Sequence, residues 1–144
     1  MIRRPNSQEE WDLYFNLRYE VLRAPWNQPR GSERNEGDAS AEHFAFFENE
    51  QIIGVGRLDF TENLGSQIRF MAVDSRFQGR GIGRQLMQHM EEIARNKGCK
   101  VTILHAREIA LPFYEKLGFS AYGPIYPDAG IEHRDMQLLL PRLA

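Results

Sequence analysis

Three glycines alternate in Gln78-Gly79-Arg80-Gly81-Ile82-Gly83, where a β-type apolar run gives way to a helical one. That position constrains the fold more than any other feature. The first amides of a helix have no partner inside it and carry the positive end of its dipole, and residues without Cβ let an anion approach the backbone. The turn therefore reads as a seat for two phosphates, with Arg76, Arg80 and Arg84 adding positive charge suited to phosphate oxygens. A tight connection with solvated arginines is the other reading that the turn alone leaves open. Spacing rejects two commoner nucleotide motifs. Gly83-Arg84-Gln85 lacks the Lys-Ser/Thr of a P-loop, and a dinucleotide fingerprint begun at Gly79 needs glycine where Arg84 stands.

The rest of the chain supplies the elements around this turn. Ser7-Gln8-Glu9-Glu10 has capping-box spacing and predicts a helix carrying Trp11, Phe15, Arg18 and Leu22, with Tyr14, Leu17 and Val21 beside them, until Pro25 stops it. Residues 24–41, rich in Gly, Pro, Asn and Ser, read as a long loop. Residues 43–47 and 51–58 predict a hairpin, and 67–73 a third strand. A helix follows over 83–96 with Leu86, Met87, Met90, Ile93 and Ala94 on one face, then a strand over 100–104, a short helix over 111–117 and a final strand over 132–140. The order α, β, β, β, α, β, α, β gives a mixed sheet with helices on its faces, an α+β fold.

At 144 residues the chain matches one domain, 1–144. A net charge of −2 provides no basic field to draw in nucleic acid or an anionic membrane, so neither is an expected partner and anion recognition must be local. Cys99 is the only cysteine and the N-terminus lacks an apolar stretch, which points to a cytoplasmic protein.

Gln78-Gly79-Arg80-Gly81-Ile82-Gly83 resembles the Gln/Arg-x-x-Gly-x-Gly/Ala signature of the GNAT acetyltransferase superfamily. Before it, Ile68-Arg69-Phe70-Met71-Ala72-Val73 looks like the family's cofactor-side strand. After it, Ala110-Leu111-Pro112-Phe113-Tyr114-Glu115-Lys116-Leu117-Gly118-Phe119 resembles the family's second landmark. The resemblance implies a mixed, largely antiparallel, splayed sheet flanked by helices. It implies acetyl-CoA, or another short acyl-CoA, as co-substrate, with no metal. Backbone groups of Met71, Ala72 and Val73 would pair with the pantetheine arm, and the amides of Gln78, Gly79, Arg80, Gly81, Ile82, Gly83 and Arg84 would hold the pyrophosphate. Tyr114 matches the family tyrosine that protonates the leaving thiolate; as a residue alone it also fits a helical apolar stripe with Ala110, Phe113 and Leu117.

The sequence also departs from the family pattern. Where some members carry a glutamate base this chain has Gln67, an amide that takes no proton, so deprotonation of an amine falls to water or to His43, Asp59 or Glu62. Where many have asparagine stands Arg107, a cation for the cofactor or an anionic substrate group. By the period of two, Arg69 shares a strand face with Gln67 and Met71, and a buried guanidinium there calls for a carboxylate partner or an anionic ligand. Residues 14–34 resemble the acetyltransferase half of bacterial two-domain enzymes in which a hotdog domain follows; this chain is expected to lack that second domain, and no fatty-acid function transfers. Arg18, Arg23 and Arg34 with Trp26 would favour an acidic or phosphopantetheine-bearing acceptor.

The implied function is direct transfer of an acyl group to a small-molecule or acyl-carrier acceptor, with an amine as the expected nucleophile. Cys99 lacks a neighbouring histidine motif for a covalent route. A non-catalytic acyl-CoA-binding sensor or partner module remains a second reading because of Gln67, and the open sheet edges of such folds allow a homodimer.

Overall fold

The structure is a computed structural model that describes residues 1–141. Its elements are β1 (Ile2–Arg3), α1 (Gln8–Leu22), β2 (Glu42–Glu48), β3 (Gln51–Thr61), β4 (Gly65–Val73), α2 (Ile82–Asn96), β5 (Val101–Arg107), α3 (Leu111–Lys116), β6 (Ser120–Asp128) and β7 (Ile131–Leu139). The strands follow the order β1-β2-β3-β4-β5-β7-β6. Pairing is antiparallel at β1–β2, β2–β3, β5–β7 and β6–β7, and parallel at β4–β5. The α+β reading therefore holds, with two corrections. β1 is two residues long, too short for any periodicity. β6 contains Gly123, Pro124 and Pro127, which argue against a strand; they are tolerated because β6 is an edge strand whose register shifts between Tyr122 and Tyr126.

Local chemistry explains the joints. The β2–β3 turn places Asn49 and Glu50 at φ 51° and 64°, and the β3–β4 turn places Asn63 and Leu64 at 59° and 60°. Two consecutive left-handed residues form the primed turn whose twist matches a hairpin. The Ser7 side chain accepts from the Glu10 amide, as a capping residue should. Glu10 does not complete the capping box by bonding Ser7. It accepts from the Asn6 amide at 2.9 Å and takes both Arg3 nitrogens at 2.8 and 2.7 Å, bonds that hold its carboxyl down at about 2.

The chain forms two compact units, Met1–Asp59 with Arg69–Met90, and Phe60–Ile68 with the chain from Glu91 onward. The first unit is built around Tyr14, Leu17, Ala45, Ile52, Val55 and Ala72, with Trp11, Phe15 and Phe47 packed against them. The start of α2 lies directly on β3. A Cβ at Gly54 would stand 2.8 Å from Ile82 Cγ2, and one at Gly56 2.7 Å from Met90 Cε, so a side chain at either position would have to displace packed α2 side chains. In the second unit Leu104, Phe119, Met136 and Cys99 are buried, and the Cys99 thiol faces the Gly65 carbonyl at 3.6 Å. The expected loop over 24–41 contains two 3₁₀ turns, Ala24–Trp26 and Glu36–Ala39.

Candidate active site

In the first unit, β4 ends where the Asp74 amide bonds Ile53 O at 2.9 Å, and a 3₁₀ turn over Ser75–Phe77 follows, capped by the Asp74 carboxylate. Gly79 and Gly81 adopt φ 83° and 78°, and a Cβ on either would meet nothing within 4 Å. They are glycines because of the left-handed backbone, and the space above them is open. The first α-helical bond runs from Gln85 N to Gly81 O at 3.0 Å. Among the described residues, the amides over 79–84 have no hydrogen-bond partner. They form a row of unspent donors at the positive end of a 15-residue helix. The expected arginine field is smaller than the sequence suggests. Arg76 pairs with Asp74 at 2.9 Å and Arg80 with Glu48 at 2.8 Å, which leaves Arg84 exposed with no ion pair among the described residues.

β4 is irregular just before this turn. Phe70 has φ 54°, strained for a residue with a bulky side chain. The strict alternation expected for Arg69 and Met71 fails here. The Met71 sulfur lies on the α2 side, 2.9 Å from where a Gly56 Cβ would stand, whereas the Arg69 guanidinium is 5.2 Å from the Phe70 ring and feels the charges of Arg57, Asp59, Asp38 and Arg18. Arg69 and Met71 therefore do not share a face. Ala72 is buried in the core, and Met71, Ala72 and Val73 lie beyond the β4–β5 register, which runs from Gly65 to Gln67.

Around Phe70 lies a charged network. Arg57 is 1% exposed, held by Asp59 at 2.6 and 2.7 Å, by Asn35 at 2.6 Å and by Asp38 at 3.1 Å. Gly37 makes room for it, since a Cβ there would come within 2.2 Å of an Arg57 nitrogen. Arg18 is fully buried and donates to Asp38, to Glu33 O and to the Tyr14 hydroxyl. Burial alone would push Asp38 up; the Asn35 amide and the two arginines outweigh it and hold the carboxyl below its ordinary value. His43 Nε2–H donates to Asp38 O, and its Nδ1 accepts from the Tyr14 hydroxyl, each at 2.8 Å. Burial pushes its imidazole down, which keeps it neutral.

Three expectations are thereby corrected. His43 is 2% exposed with both nitrogens engaged, so it is neither a base nor a substrate contact, and the Asp59 carboxylate is committed to Arg57. Arg18 is a packed structural cation and not a substrate contact. Arg23 donates to the Ser32 and Leu22 carbonyls, Arg34 lies 3.9 Å over the Phe15 ring, and Trp26 sits half-buried in its 3₁₀ turn.

The second unit carries Tyr114 on α3, half-buried, with Phe113 and Phe119 ring centroids 5.0 and 6.0 Å away. Burial pushes its phenol up to about 12, and the positive Arg107 pulls back only part of that rise. Arg107 ends β5 and is the cap position of the 3₁₀ turn Glu108–Ala110 that leads into α3. Gln67 is registered against Ile103, two residues from His105. His105 faces Asp135 across the β5–β7 pair and donates from Nδ1 to its Oδ1 at 2.5 Å; the Tyr126 hydroxyl donates to the same oxygen at 2.5 Å. Burial would raise Asp135, but these two bonds outweigh it and hold the carboxyl low. The His105 side chain remains 45% exposed, and its Nε2 has no hydrogen-bond partner among the described residues, the arrangement of an oriented base.

A family model described as an acetyltransferase (GNAT) domain matches residues 20–140. The chain belongs to the GNAT acetyltransferase family. It is 30% identical over 131 residues to the uncharacterized N-acetyltransferase YjcF of Bacillus subtilis (strain 168), a match over 90% of this chain and 93% of that one. In fold it is similar to an acyl-CoA N-acyltransferase from Pseudomonas aeruginosa, with TM-score 0.82 and 22% identity over 95% of this chain and 96% of that one. It is equally similar to an aminoglycoside 6′-N-acetyltransferase complexed with coenzyme A, with TM-score 0.82 and 17% identity over 100% and 99%.

As a GNAT member the chain is an acyl-CoA-dependent N-acyltransferase. The first unit of this GNAT chain brings together Met71, Ala72, Val73 and residues 78–84, while Gln67, Arg107 and Tyr114 belong to the second. Sequence reasoning missed the His105–Asp135–Tyr126 cluster. Its only signal was the alternation of Ile103, His105 and Arg107, and that becomes visible only when β5 extends to residue 107 and β7 is set in register.

Proposed function

We propose that this GNAT chain transfers an acetyl or other short acyl group from acyl-CoA to an amine, directly and without a covalent enzyme intermediate, working as one domain over 1–144, of which 142–144 lie outside the described residues. The observation that carries this reading is the row of unspent amides over 79–84 beneath open space at Gly79 and Gly81. Those donors fit a pyrophosphate, and the backbone of Met71 and Val73 suits a pantetheine arm. The coenzyme A bound by the aminoglycoside acetyltransferase of like fold supports the same cofactor here.

Acyl-CoA, when bound, supplies the thioester. The chain's own work is proton handling. As the amine nitrogen bonds to the acyl carbon and the C–S bond breaks, His105 Nε2 takes the ammonium proton, with Asp135 orienting the ring through Nδ1. Tyr114, its phenol held protonated, gives a proton to the departing sulfur. No helix is long and apolar enough to cross a membrane among the described residues.

Release of free thiol from acetyl-CoA, followed with a panel of primary amines, tests the reading. Tyr114→Phe is expected to lower kcat by about ten- to a hundredfold with CoA affinity unchanged. Full turnover in that variant would remove Tyr114 from the reaction. CoA binding without turnover on any amine, indifferent to Tyr114→Phe, would favour a sensor module.

A further inference from the structure

The four guanidinium groups around Phe70 are not equally neutralised. Arg18, Arg23, Arg57 and Arg69 lie 4.2, 5.7, 5.4 and 5.2 Å from the ring centroid. Asp38 is shared by Arg18 and Arg57, and Asp59 is held by Arg57. Four cations meet two carboxylates, so two positive charges remain uncompensated, on Arg23 and Arg69. Arg23 spends its bonds on carbonyls, which leave its charge intact. Arg69 has no hydrogen bond or ion pair among the described residues, although it is partly buried beside Arg57.

Desolvating a guanidinium next to a like charge is unfavourable unless an anion completes the site. The sequence left two ways to satisfy Arg69, a carboxylate of the chain or an anionic ligand. The structure removes the first, because both nearby carboxylates are already committed. The left-handed Phe70 is a second, independent sign: a strained residue beside Arg69 breaks the strand alternation and turns that guanidinium away from the face of Met71. A planar fork of five donors suits a carboxylate or a phosphate monoester, and the ring beneath it limits the rotamers to be frozen on binding.

We propose that Arg69, assisted by Arg23, binds an oxyanion on the acyl acceptor, so that the substrate is an amine carrying a carboxylate or phosphate group. This rests on the acyltransferase reading and names the substrate class of that reaction. It assigns Arg69 to recognition, apart from the residues that move protons.

The test compares amines of one scaffold that end in a carboxylate, a phosphate monoester or a neutral amide, assayed with acetyl-CoA on the wild type, Arg69→Gln, Arg69→Lys and Arg23→Gln. The wild type should favour an anionic amine over the neutral one by about ten- to a hundredfold in kcat/KM, the range of a charge-assisted hydrogen bond. Arg69→Gln should collapse that ratio through KM, Arg69→Lys should restore part of it, and the better anionic arm identifies the group. Equal kcat/KM for neutral and anionic amines in the wild type, or a ratio that survives Arg69→Gln, overturns the proposal. A second readout does not depend on turnover. The Arg69 Nε–H resonance should shift saturably with inorganic phosphate or succinate, and an unmoved resonance with both overturns the site. Loss of CoA binding in a folded wild type would instead defeat the acyltransferase reading, so the two failures are distinguishable.

Discussion

The turn over 79–84 and the His105–Asp135–Tyr126 cluster are built from opposite materials. The turn offers backbone amides fixed by two left-handed glycines and a helix start, and no side chain of its own needs a particular charge to keep them in place. The cluster is side chains alone, carried by three strands and brought together by register. A site of the first kind tolerates changes of pH and side-chain chemistry but not of backbone conformation. One of the second kind tolerates backbone substitution but not a change in protonation. In the proposed function the turn is the binding element and the cluster handles protons.

Gly81→Glu should break the turn most severely. It places a branched-off anion where phosphate would lie and strains a φ of 78°, so CoA affinity should fall by more than about a hundredfold, with a stability loss of about 1 kcal/mol by urea unfolding. His105→Gln should leave CoA affinity intact and lower kcat/KM by about a hundredfold, erasing the rise of rate with pH that a base produces. If the rise persists, the proton goes elsewhere. Asp135→Asn should cost about tenfold in kcat/KM, because the carboxylate that orients the His105 ring is lost. A smaller effect concerns stability. Asp135 has its folded pKa below the ordinary value, so its contribution is complete above about pH 4 and is lost as pH falls through the folded pKa. Urea titrations between pH 5 and 3 should show a shallower acid loss in Asp135→Asn than in the wild type.

The same contrast explains what was legible in the sequence. The turn could be read because its glycines are local, and Tyr114 because it lies in a contiguous motif. The cluster could not, because β6 hides behind Pro124 and Pro127, and His105 meets Asp135 only through strand pairing 30 residues away. His43 and Arg18 looked available because their shared partner, Asp38, comes from a loop with no periodicity. Arg69 was assigned to the wrong face because no residue type announces a left-handed Phe70.

The most direct measurement is calorimetric titration of the wild type, Gly81→Glu and His105→Gln with acetyl-CoA and with ATP. The account predicts that the wild type and His105→Gln bind acetyl-CoA alike, that Gly81→Glu does not, and that ATP is much weaker throughout. A folded wild type that fails to bind acetyl-CoA, or a Gly81→Glu protein that binds it undiminished, would contradict the claim that the turn holds the cofactor.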